Sequence, residues 1–158
     1  MPHIAIRFIA NHTFTSAAIR WITGSLFSHV EAGTPEGRWI GALSDGIKER
    51  PADYCKPFRE YVYRIPCTQK QADDFLTLMR SKIGTKYNFL DIIGLALGVR
   101  SLNNVHDDIC SEFVTWGLVR TFGPQAVLNV EQGWEYRITP ETLHLSPIFV
   151  GRLYKRRT

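Results

Sequence analysis

The sequence predicts an α+β fold, and three observations carry this: strand-like segments gather toward the amino end, helix-like segments occupy the middle, and an apolar stretch closes the chain. The regular strand–helix alternation of a parallel sheet is missing, so α+β is expected rather than α/β. The 158 residues, 44% hydrophobic and 22% charged, suit one globular domain read over residues 1–158.

Each element has a local reason. His3 to Ala10 alternates and is rich in Ile and Phe, which predicts a strand. Asn11 to Thr15 is polar and suited to capping. Ser16 to Thr23 then carries Ala17, Ile19, Trp21 and Ile22 at helical spacing, with Gly24 as the stop. Ser28 to Ala32 and Arg38 to Leu43 flank the turn Gly33-Thr34-Pro35-Glu36-Gly37 and read as a hairpin. Asp45-Gly46 turns the chain into a short strand, Ile47 to Arg50. Tyr61 to Ile65 alternates as another strand. Thr68 to Ser81 reads as a helix opened by a capping box, Thr68 with Gln71 three residues on. Two further helices are expected, Asn88 to Leu97 and Ile109 to Thr121, the second with Phe113, Trp116 and Val119 or Arg120 on one face. Pro147 to Tyr154 is expected as the closing strand.

Charge and cysteine usage exclude several classes. The net charge of +4 is mild, and much of it lies in Arg152, Lys155, Arg156 and Arg157. These read as a solvated, frayed end. No nucleic-acid motif accompanies them, so no specific nucleic-acid partner is expected. The cysteines, Cys55, Cys67 and Cys110, are odd in number and unpaired in spacing, which argues against a disulfide framework. No CxxC pair is present, and the expectation is no metal site and no cofactor. Asp73-Asp74 and Asp107-Asp108 read as acids near helix starts. The amino end lacks a secretory signal pattern, and the longest apolar run, Ile92 to Val99, is far too short for a transmembrane segment. A cytoplasmic location at synthesis is expected.

Cys110 falls at the start of a predicted helix, where free N–H groups and the helix dipole favour a thiolate, the reactive form of cysteine. His29 lies on a predicted strand. A catalytic imidazole needs a third polar group to orient it, and Glu31, two positions on, faces the same side of a strand. His3, His12, His106 and His144 read as structural or exposed, and Cys55 and Cys67 as packing residues. Trp21, Trp39 and Trp134 line a groove or fill the core, and the core is the stronger expectation.

Three ordered segments add to this. Ser28-His29-Val30 opens the hairpin, Ile83-Gly84-Thr85-Lys86-Tyr87-Asn88 precedes an apolar helix, and Cys110-Ser111-Glu112-Phe113-Val114 begins the next. Together with Ile138-Thr139-Pro140-Glu141-Thr142-Leu143 and Ser146-Pro147, they resemble the circularly permuted, YiiX-type branch of the papain-like NlpC/P60 superfamily, over roughly residues 25 to 150. The resemblance implies an antiparallel sheet packed on helices, with the histidine strand ahead of the cysteine helix in the chain. It implies a cysteine amidase, peptidase or acyl ester hydrolase, with Cys110 as nucleophile, His29 as base, and Ser28, Ser111 and Tyr87 near the substrate. Implied partners are a peptide, a peptidoglycan fragment or an acyl substrate. Family members carry their third polar residue on the strand after the histidine strand, a place that falls at or near Gly41. Glycine cannot orient a ring. Glu31 or Asp45 supplies the contact, or the site is a dyad, or it is degenerate. The contrasting expectation is a catalytically inactive papain-like binding module.

Overall fold

The computed structural model describes residues 1–43, 45–85, 110–128 and 138–158. Elements are numbered among these residues: β1 (His3–Ala10), α1 (Phe14–Thr23), β2 (His29–Gly33), β3 (Trp39–Leu43), β4 (Gly46–Arg50), β5 (Arg59–Pro66), α2 (Gln69–Ser81), α3 (Cys110–Phe122), α4 (Pro140–His144) and β6 (Leu153–Arg157). The strands form an antiparallel sheet in the order β4-β3-β2-β1-β5-β6. This is the α+β architecture expected. The helix read at Asn88 to Leu97, and Tyr87, His106, Asp107-Asp108 and Trp134, lie outside the described residues.

Alternation along the strands sends Ile4, Ile6 and Phe8 of β1, Val30 and Ala32 of β2, and Ile40 and Ala42 of β3 into one core with Phe75, Met79, Phe113 and Leu118 from the helices. The capping box at Thr68 and Gln71 is formed, and it starts α2 where the sequence placed it. Thr13 caps α1 through its side chain, and Gly24 closes it at φ 62, a left-handed conformation that glycine adopts without strain. α1 therefore begins at Phe14, before the expected Ser16, because the cap lies inside the polar run.

Helix α3 packs against α2, β2, β3 and α4. It buries Cys110, Ser111, Phe113, Val114, Thr115, Gly117, Leu118 and Val119, so the single apolar face expected from its spacing is a near-continuous buried surface. Trp21 also differs from expectation: it is 86% exposed on α1 rather than part of the core.

The closing strand is shifted. Pro147–Phe149 form a 3-10 turn that buries Ile148 and Phe149, and Gly151 at φ 69 reverses the chain before β6 begins at Leu153. A proline at the first turn position lacks the N–H a ladder would use, which favours the turn over a strand there. The basic end is accordingly not frayed. Lys155, Arg156 and Arg157 pair with Val62, Tyr61 and Glu60 as the edge of the sheet. Lys155 Nζ lies 2.8 Å from Glu60 Oε2, and the Arg156 guanidinium lies over the Tyr61 ring. Among the described residues, no helix is long and apolar enough to cross a membrane.

Candidate active site

Cys110 is the first residue of α3 and is 3% exposed. His29 is the first residue of β2, paired with Ile9 of β1. Its approach is fixed from two sides. The Ser28 N–H donates to the Ile9 carbonyl at 3.0 Å, and the Ser28 hydroxyl meets the Ser16 hydroxyl of α1 at 2.6 Å. The Leu26 N–H donates to Glu141 Oε2 of α4 at 2.8 Å. The Ser111 hydroxyl, one residue past Cys110, donates to the Ile138 carbonyl. Residues 138 to 141 thus tie the start of the cysteine helix to the segment that enters the histidine strand. Ser28 and Ser111 are buried with hydroxyls engaged by the protein, so both hold this frame together.

The side chains of Cys110, His29 and Glu31 form a continuous chain. The His29 ring hydrogen-bonds the Cys110 side chain, and Nε2 lies 3.2 Å from Glu31 Oε1. Burial disfavours a charged imidazole, but the hydrogen bonds to Cys110 and Glu31 and their negative charge outweigh it and raise the His29 pKa to about 9. Glu31 mirrors this. Burial alone would raise its pKa, yet His29, Arg7 and Tyr54 hold it down at about 2. Near neutral pH the pair is imidazolium and carboxylate.

Glu31 is fully buried and anchored at both oxygens. Arg7, across the β1–β2 ladder from it, donates Nε to Oε2 at 2.8 Å, and Tyr54 donates its hydroxyl to Oε1. Arg7 is itself 2% exposed, with its guanidinium 4.4 Å from the centre of the Trp39 ring. Asp45 is spent elsewhere, on Lys48 and Arg50. Of the two carboxylates weighed from the sequence, Glu31 is the one that meets the ring. Arg7, Tyr54 and Glu141 were not singled out in the sequence. Arg7 had a readable signal, a lone charge inside the strand Ile-Ala-Ile-Arg-Phe-Ile-Ala, since a buried arginine requires a partner. Tyr54 had none, because its role depends on how the β4–β5 connection folds back over the sheet.

A cavity of about 390 Å³ lies behind this network, lined by Arg7, Cys55, Lys56, Glu60, Lys155 and Arg157 among others. Neither Cys110 nor His29 lines it, so it is not the cleft a nucleophile at Cys110 would use.

No protein-family model matches the chain, and no curated protein matches it. A solved structure does: the crystal structure of the metalloprotein YiiX from Escherichia coli O157:H7, a DUF1105 protein, superposes with a TM-score of 0.55 at 16% identity, over 99% of this chain and 96% of that one. The chain has the YiiX fold.

Proposed function

We propose that the protein is a thiol hydrolase of the papain-like type, acting on an amide or ester carbonyl. One observation carries this reading: Cys110 at a helix start hydrogen-bonds a histidine that a buried carboxylate holds in place. With Nε2 turned to Glu31, Nδ1 is the ring nitrogen open to the sulfur. The thiol proton rests on His29, as the raised pKa of the ring favours, and the sulfur attacks the carbonyl carbon. The tetrahedral oxyanion collapses to a thioester as His29 returns the proton to the departing amine or alcohol. Water, losing its proton to His29, then cleaves the thioester; the acid leaves and the thiol is restored. The Cys110 backbone N–H, at the first described residue of the helix, is the oxyanion donor of this reading. The substrate class we favour is a peptide or isopeptide link, a cell-wall peptide fragment included, with a lipid-like acyl ester as the other candidate.

YiiX is described as a metalloprotein. Among the described residues the donor set does not fit a metal. Glu31 already faces a guanidinium, and among the described residues no group of three or more His, Cys, Asp or Glu side chains is placed to hold a metal ion. The mechanism therefore uses only the side chains named above.

The burial of Cys110 favours a second reading, a papain-like module that binds without turnover. Alkylation separates the two. Burial raises the pKa of both Cys55 and Cys67, which makes them internal references for an unactivated thiol. The hydrolase predicts that iodoacetamide labels Cys110 first at neutral pH, and at least about tenfold more slowly in His29→Ala, since general base assistance contributes ~10²–10⁴-fold. Labelling of Cys110 no faster than the references, and indifferent to His29, would establish the inert module.

A further inference from the structure

Gly41 sits where a side chain cannot. An ideal Cβ built there lies 2.9 Å from His29 Nε2, 2.9 Å from Glu31 Cγ and 3.1 Å from Glu31 Oε1. All three are atoms of the His29–Glu31 contact, and both residues are buried, so neither has open space to retreat into. The Gly41 backbone is itself held, because Arg50 donates to its carbonyl at 3.0 Å. Arg7 holds the other carboxylate oxygen, Oε2, and Tyr54 donates to Oε1, the oxygen that meets His29. We propose that Gly41, Arg7 and Tyr54 are the positioning residues of the site: the missing Cβ at Gly41 is the socket that lets Glu31 reach His29 along their shared strand, and Arg7 and Tyr54 lock the carboxylate in it. The glycine is therefore a requirement of this arrangement and not a lost polar residue. The inference rests on the hydrolase reading for its consequence in turnover, but not for its geometry.

The test reads the His29 ring directly. NMR titration of its Cε1–H in the full chain is expected to give a wild-type value near 9. Gly41→Ala, which any strand backbone accepts, is expected to move the titration down toward 6.5 and to slow Cys110 alkylation at least tenfold, with the circular dichroism spectrum unchanged. Glu31→Gln is expected to do the same. In the Glu31→Gln background, Gly41→Ala is expected to add nothing, because residues acting through one contact are not additive. An unmoved titration in Gly41→Ala, or full additivity of the two changes, overturns the socket. If Gly41→Ala does not fold, Tyr54→Phe decides. Release of a locked carboxylate moves the His29 titration down, whereas removal of a mere competitor for Oε1 moves it up, and the upward shift overturns the lock. Slow alkylation of wild-type Cys110 removes the hydrolase reading alone, since the ring titration still judges the socket.

Discussion

Glu31 meets His29 from two positions further along the same strand, with Oε1 3.2 Å from Nε2. The base and the group that orients it are therefore carried by one short strand, and the register of β3 sets Gly41 against their contact. The same carboxylate neutralises Arg7, a cation with almost no exposure to water. Glu31→Ala removes both functions. Breaking a buried pair by deleting one partner costs ~3–5 kcal/mol, since it leaves an unpaired charge in the interior. Urea unfolding of Glu31→Ala is expected to read a loss of that order. A loss below ~1 kcal/mol, the scale of an exposed pair, would mean that Glu60, 3.5 Å from Arg7 on the other side, suffices as its counter-ion.

The parts of the site that were legible in the sequence are those set by short-range geometry. Glu31 and His29 share a face because they are two apart on a strand, and Cys110 starts a helix because the apolar spacing begins beside it. Alternation gave β1 and β5, and the capping box gave the start of α2. What was not legible depends on contacts distant in the chain. The arginines at the carboxyl end look solvated by composition, but β5 offers an open edge that recruits them into β6. Gly41 looks like a defect when read alone. Only the Cβ position measured against His29 and Glu31 reveals that the space is already filled.

Two buried charges give stability a pH dependence of known sign. Glu31, held at about 2 against an ordinary 4.5, contributes fully above 4.5 and loses its contribution as pH falls toward 2. His29, held at about 9 against 6.5, contributes fully below 6.5 and loses its contribution as pH rises through 9. Both are complete between 4.5 and 6.5. His144 works the other way: burial lowers its pKa, so the unfolded chain gains a proton below 6.5 that the native chain resists. The measurement is the urea midpoint across alkaline pH. Wild type is expected to weaken steadily from 6.5 to 9, and His29→Gln to lack that decline. Parallel curves for the two proteins would remove His29 as the source.

Gly117 lets α3 approach α2. A Cβ there would fall 2.1 Å from Met79 Cε and 3.0 Å from the Phe75 ring, both buried in the core. Alanine gains up to ~1 kcal/mol in helix propensity over glycine. Overpacking a filled core costs ~1–3 kcal/mol. The 2.1 Å approach decides for the second effect, since Met79 has no exposed side to swing toward. Gly117→Ala is expected to lower Tm, and Gly117→Ala with Met79→Ala to recover part of the clash. A Tm above wild type in the single variant would mean the helices slide apart without loss.

The edge strand makes a last, opposing pair of outcomes. Deleting residues 153–158 strips β6 from β5 and leaves backbone groups along Glu60–Tyr63 without their ladder partners. An unpaired edge is a template for association between chains. The truncated protein is expected to lose Tm and to run as larger species on size exclusion. Arg157→Ser keeps the backbone pairing with Glu60 and removes only an exposed charge, so it is expected to stay at the wild-type elution volume with Tm within about a degree or two, as surface changes away from buried networks cost no more than ~0.5 kcal/mol. If truncation leaves both Tm and elution unchanged, β6 contributes only charge. If Arg157→Ser aggregates as the truncation does, repulsion between like charges, and not backbone pairing, protects this edge.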